Sequence, residues 1–229
     1  MADKNNEIES HHDEQVVAKA KDFWTKYSKP VMIASVLIIL AVGGFYAYQN
    51  FVKKPNEAKA ADAIFKAEEY YRMDSVNLAL NGDGQNWGFL KVIDKYGSTA
   101  AGNLASFYAG SCYIKLNDNE KAIKYLKKFS GDSKPIQARA YKLLGDAYGD
   151  QGKNSDALSY YKKAAAHFEA DEASSAEYLF TAAYFADRVM KDTKEAIALY
   201  KELKEKFPRT QQGSEADNYL AQLGVYTTN

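Results

Sequence analysis

"LLGDAYGDQGKNSDALSYYKKA", residues 143–164, decides the fold of this chain. Its apolar positions recur at helical spacing on both sides of Gly152, a residue suited to ending a helix in the left-handed conformation. Tyr141, Leu144 and Tyr148 share one face of the first helix. Ala157, Tyr161 and Ala164 share one face of the second. Gly145 and Ala157 are small, as close approach of two crossing helices requires, and Tyr148 and Tyr161 fill the space beside the contact. Upstream, "YAGSCYIKLNDNEKAIKYLKKF", residues 108–129, repeats the pattern. Gly110 precedes Gly145 by 35 residues, and Tyr113, Ala122 and Leu126 precede Tyr148, Ala157 and Tyr161 by the same offset. A fixed period of this size marks stacked helix pairs.

A third copy runs through "EYLFTAAYFADRVMKDTKEAIALYKELKEKFPRT". Ala183 takes the small slot, and Ala196, Tyr200, Leu203 and Pro208 take second-helix slots. Its spacing is longer, so extra residues are expected in the loop from His167 to Ser174. "SEADNYLAQL" reads as a capping helix with Ala216, Leu220 and Leu223 on one face and Ser214 as its cap residue. The first copy is degraded: Asn117 stands where Gly152 stands later, and Phe129 replaces a small residue. Further upstream, "EAKAADAIFKAEEYY" and "GFLKVIDKYGSTAAG" read as the two helices of a divergent unit, with "NLALNGDGQNWG" as the loop between them. The middle copy resembles the tetratricopeptide repeat almost position for position. The resemblance implies an all-α helical solenoid whose first helices line a concave face.

The other decisive stretch is Pro30 to Val52, "PVMIASVLIILAVGGFYAYQNFV", which contains no charged residue. At 1.5 Å per residue, about 20 apolar residues cross a membrane. Lys29 closes one end and Lys53 and Lys54 the other, and Trp24, Tyr46 and Tyr48 stand where interfacial aromatics are expected. A cleaved signal peptide fits less well, because a long leader with Asp3, Glu7, Glu9, Asp13, Glu14 and Asp22 precedes the run. An uncleaved anchor is therefore expected. Lysines are equal in number near the two ends, so charge does not orient the span. Residues 14–29 put Val16, Ala20, Phe23, Trp24 and Tyr27 on one face. They form either a short interfacial helix or the first turns of one continuous helix.

The 229 residues carry 30 basic and 30 acidic side chains, so the balance gives no reason to expect nucleic acid as a partner. The single cysteine, Cys112, excludes an intrachain disulfide. It sits beside Tyr113 and reads as a buried, inert thiol. "NGDGQNWG", residues 81–88, lacks the spacing of a dinucleotide loop, the closing Lys-Ser/Thr of a P-loop, and the Gly and Glu of a calcium loop. It reads as a helix-to-helix connection in which Gly supplies positive φ. His11-His12 falls in a polar tail, and His167 has no Cys or His near it. No nucleophile-base set or carboxylate pair can be recognised, so no catalytic residue, cofactor, metal or small-molecule substrate is assigned. An enzyme site assembled only in three dimensions stays open.

These readings give a tail at 1–29, a transmembrane helix at 30–52 and a repeat domain at 53–229. The domain comprises a divergent unit at 57–102, three repeats at about 103–208 and a cap at 214–223. Protein partners are expected, in a groove lined by Phe107, Ser111 and Ile114 from one repeat. Arg139, Lys142 and Asp146 come from the next, and Phe180, Tyr184 and Asp187 from the last. The layout resembles the ancillary Sec-translocon subunit family of bacteria. The "LALNGDG…GFL" segment is similar to one in tetratricopeptide proteins of the Bacteroidota. These resemblances imply a bacterial inner-membrane protein with a cytoplasmic N-terminus and a periplasmic repeat domain. "KEKFPRT" is similar to repeat ends in outer-membrane assembly lipoproteins, which implies an envelope-assembly scaffold instead. The lipidated cysteine of that subfamily is missing.

Overall fold

The computed structural model describes residues 2–226, and side chains are described from residue 18 onward, Ala20 excepted. The chain divides into two compact units, one ending at Pro55 and the other starting at Asn56. Among the described residues every regular element is helical, apart from a lone backbone bridge between Gly82 and Trp87.

The first unit is dominated by α1, Ala2–Tyr48. It is one unbroken helix, so residues 14–29 are its early turns and not a separate interfacial helix. The His11-His12 side chains lie outside the described residues. The apolar part of α1 is long and apolar enough to cross a membrane, and its side chains are exposed throughout. A π-helical turn, Gln49–Lys53, follows, in which the Lys54 N–H donates to the Gln49 carbonyl. Pro55 explains it. Proline has no N–H for the Phe51 carbonyl, and its ring crowds that carbonyl, so the backbone widens by one residue just upstream.

The second unit contains most of α2, Lys54–Arg72, then α3, Val76–Asn81, and α4, Phe89–Tyr96. After these come α5, Ala100–Lys115, α6, Asn119–Leu126, α7, Lys134–Asp150, and α8, Asn154–His167. The last three are α9, Glu172–Arg188, α10, Thr193–Lys206, and α11, Gln211–Gln222. Successive helices from α4 to α11 pack on one another, which is solenoid order.

Four first helices are followed by a residue in the left-handed region. Asp74, Asn117, Gly152 and Lys191 each take a positive φ, of 57°, 57°, 71° and 56°. Behind the first three, the next N–H folds back five residues: Ser75 to the Tyr70 carbonyl, Asp118 to Tyr113, Lys153 to Tyr148. Asn117 thus does the work of Gly152, because its short polar side chain tolerates the left-handed region. Asp118 and Asp192 then cap the following helices, accepting from the N–H of Lys121 and Glu195.

The small residues act as read. A Cβ on Gly110 would sit 2.5 Å from Leu126 Cγ, and a Cβ on Gly145 would sit 2.5 Å from Tyr161 Cδ1. The two contacts are the same contact, one repeat apart. Ala157, Ala183 and Ala196 are fully buried.

Three local expectations are corrected. Residues 76–81 form α3 instead of a loop, because Ala79 and Leu80 drop into the core beside Phe89 and Val92. "STAAG" begins α5 instead of ending the preceding helix. Thr99 caps α5, accepting from the Gly102 N–H at 3.0 Å. Ser214 is not a cap. Thr210 starts α11 by accepting from the Gly213 N–H at 3.1 Å, and Ser214 donates back to the Gln211 carbonyl.

Candidate functional site

The three expected groove trios meet different fates. On α5, Phe107 is 5% exposed and packs on Phe129 with ring centroids 5.5 Å apart. Ser111 is 4% exposed and shares a 2.7 Å hydrogen bond with the Tyr71 hydroxyl. Ile114 is half-buried against the core that α2 and α4 share with α5. In this structure these three join helices and offer little surface to a partner. The reason is that α5 is apolar nearly all round and is covered from two sides.

On α7, Arg139 is exposed, with no carboxylate in ion-pair range among the described residues. Lys142 and Asp146 are tied to each other at 2.8 Å. Asp146 also accepts from the Tyr161 hydroxyl at 3.0 Å, so it anchors the second helix of its own repeat.

On α9, Phe180 is half-buried in an aromatic cluster. Its ring lies 6.0 Å from Tyr184, 6.1 Å from Tyr200 and 5.1 Å from Tyr219. Tyr184 is 45% exposed, with the Arg188 guanidinium 5.9 Å from its ring centre. Asp187 pairs with Arg188 at 2.8 Å. Arg188 in turn donates to Gln222 on α11, which fastens the cap to the last repeat.

Sequence reading missed Tyr108. It stacks on Phe89 at 5.1 Å with planes 10° apart, and it lies 5.0 Å from Tyr71. Burial raises its hydroxyl pKa, and Glu68, Arg72 and Arg139 are all close enough to act on it. Tyr178 on α9 is likewise raised by burial and also feels Arg139. Arg139 of α7 therefore acts through space on half-buried tyrosines of both α5 and α9. The signal was one residue away from Phe107, a rotation of about 100° on a helix.

The 81–88 segment is a connection held by Asp83. Its Oδ1 accepts from the N–H groups of Gln85 and Asn86, and its Oδ2 from Tyr70 and the Asn86 amide. Those donors, the Tyr70 hydroxyl first, hold its carboxyl well below the usual carboxylate range. Gly82 and Gly84 take φ of 84° and 92°. His167 packs edge-on against Tyr141 at 5.3 Å. Among the described residues no group of three His, Cys, Asp or Glu could hold a metal.

Comparison with known proteins agrees with this geometry. The profile of the tetratricopeptide repeat-like domain matches residues 21–138, just over half of the chain. The chain belongs to the tetratricopeptide repeat-like family. A second profile, the tetratricopeptide repeat, matches residues 177–210, which are most of α9, all of α10 and the turn after them. No curated protein sequence gives a significant match. Tetratricopeptide repeats stack into extended concave surfaces that bind proteins. The second unit is accordingly a protein–protein interaction scaffold.

Proposed function

We propose that this chain is a membrane-anchored adaptor that holds a protein segment against the first helices of its repeats. One observation carries the reading: Phe180 and Tyr184 form an aromatic pair, one half-buried and one open, beside the ion-paired Asp187. A half-buried ring stacked on others is rigid before binding, and an exposed tyrosine beside it offers area at small entropic cost. Arg139, Lys142 and Asp146 continue the surface with mixed charge. Such a lining suits an extended or helical protein segment better than a bare carboxylate terminus. Phe107, Ser111 and Ile114 shape the wall from behind.

The order of one apolar helix followed by repeats resembles the ancillary Sec-translocon subunits. That resemblance supports a place in a bacterial inner membrane, with residues 1–29 cytoplasmic and 53–229 periplasmic. Protease added to spheroplasts then digests the repeats; their survival until the membrane is broken reverses the orientation.

The test of function is co-purification in mild detergent from cells making the wild type or Phe180→Ala/Tyr184→Ala. Truncating a central aromatic anchor costs about 2 kcal/mol or more, roughly a thirtyfold loss of affinity per residue. The double variant should keep its helical circular dichroism and lose its partners. Retained partners place binding on another surface. Sec channel subunits among them favour the translocon role, and envelope-assembly proteins favour an outer-membrane scaffold.

A further inference from the structure

The second helices carry a surface of a different kind. Tyr113 of α5 stacks on Tyr125 of α6, with ring centroids 5.5 Å apart and planes 12° apart. Tyr148 of α7 stacks on Tyr160 of α8, at 5.4 Å and 7°. The pairs are one repeat apart, and lysines cover both. Lys124 and Lys128 lie 5.7 and 5.4 Å from the centre of Tyr125. Lys163, the counterpart of Lys128, lies 4.9 Å from the centre of Tyr160. The repeats join at Tyr148, where Lys127 from one and Lys153 from the next stand 5.3 and 5.7 Å from one ring centre.

Lys124, Lys127, Lys128, Lys153 and Lys163 are exposed. None is within ion-pair distance of a carboxylate among the described residues. Asp156 is the acidic side chain that reaches Lys127 and Tyr160, through space and without an ion pair. Nearby Lys121 is already paired with Asp118, and Lys162 with Glu195. Five unpaired ammoniums on two helices and two turns are a local excess in a chain whose charges cancel overall. Two of them around a single ring repel each other, and an anion set between them relieves that repulsion. Their seats over tyrosine rings limit side-chain freedom before any ligand arrives, which lowers the entropic cost of binding.

We propose that this lysine–tyrosine face docks an acidic, extended segment of a protein, with equivalent seats on successive repeats taking successive carboxylates. The tyrosines decide against other anions. Their faces are taken by each other and by lysine, so none is open for a nucleic-acid base to stack on. The large apolar side chains of residues 119–129 and 153–163 are all buried or half-buried, so nothing here inserts into a lipid layer. The surface is separate from Phe180 and Tyr184, and its test does not depend on that groove.

The test uses the full chain in zwitterionic detergent and a fluorescein-labelled oligoglutamate peptide, read by anisotropy. Binding should weaken with added salt. Lys127→Ser/Lys153→Ser/Lys163→Ser should weaken it roughly tenfold, as loss of three exposed charge pairs implies. The matched control Lys59→Ser/Lys194→Ser/Lys201→Ser removes the same charge elsewhere and should leave binding unchanged. Arginine at the three patch positions should restore it. Thermal melts identify any variant that fails to fold, and the arginine variant then carries the comparison with wild type at varied salt. Equal losses in both serine triples, or no peptide binding at all, overturn the proposal. So does patch-dependent binding of oligodeoxythymidine or short-chain phosphatidylglycerol in place of the peptide.

Discussion

The Tyr161 hydroxyl donates to Asp146 Oδ1 at 3.0 Å, whereas the Tyr200 hydroxyl, one repeat later, is buried with no hydrogen-bond partner among the described residues. Both rings fill the second-helix slot beside a small first-helix residue, but only Tyr161 is hydrogen-bonded to a carboxylate; Asp187 acts on Tyr200 through space alone. Burial raises the pKa of both hydroxyls, so each stays protonated. An unpaired buried hydroxyl costs about 1–3 kcal/mol, and a hydrogen bond to a charged group contributes about 1.5–3 kcal/mol, less here because Asp146 is partly exposed. Tyr200→Phe should therefore leave stability unchanged or raise it by about 1 kcal/mol. Tyr161→Phe should lower it by about 1 kcal/mol. Paired thermal melts decide this; equal effects of the two would contradict the assignment.

Tyr161 also meets Gly145, where a Cβ would overlap its ring. Gly145→Leu should destabilise by about 2 kcal/mol, shifting the melting temperature by roughly 4–8 °C. Ala157→Glu puts an unpaired charge at a fully buried position and should cost about 3–5 kcal/mol. Repeats share interfaces, so calorimetry should show the whole stack losing stability together. An unchanged melting temperature for either variant would refute the pairing of α7 with α8.

Asp83 makes the 81–88 connection sensitive to acid. Its folded-state pKa is depressed, so the stability it contributes is present above the unfolded value, about 4, and is lost as pH falls through the lower folded value. Trp87 reports on the loop, since it pairs across to Gly82 and stacks on Tyr96 at 6.0 Å. In a Trp24→Phe background, Trp87 emission should stay native at pH 4 and change only in stronger acid. With Asp83→Ala added, the native emission should already be altered at neutral pH.

Cys112 is fully buried, and burial pushes its thiol up to about 12. Thiolate is the reactive form, so at pH 8 the native protein should not react with a thiol reagent such as dithionitrobenzoate. One equivalent should react after denaturation. Rapid labelling of folded protein would show that the α4–α5 layer opens.

The repeat was legible because its evidence is local. Gly145, Ala157 and Gly152 are dictated by helix crossing and by a left-handed turn, and such demands fall on single residues at a fixed period. The apolar span was legible for a similar reason, since a run of uncharged side chains needs no partner to be recognised. The face proposed for binding was not legible in the same way. Apolar residues on α5 occur on almost every side, so spacing alone could not say that Phe107 packs on Phe129 while Tyr108, one residue on, stacks on Phe89 of α4. Lys191 shows the same limit: it takes the left-handed region after α9 without being a residue that announces it. The meeting of Lys127 and Lys153 around Tyr148 is a contact between two repeats. The sequence by itself determined which residues build the helix pairs of the three periodic repeats. Only the tertiary structure decided which side chains remain at the surface, because that depends on how neighbouring pairs cover one another.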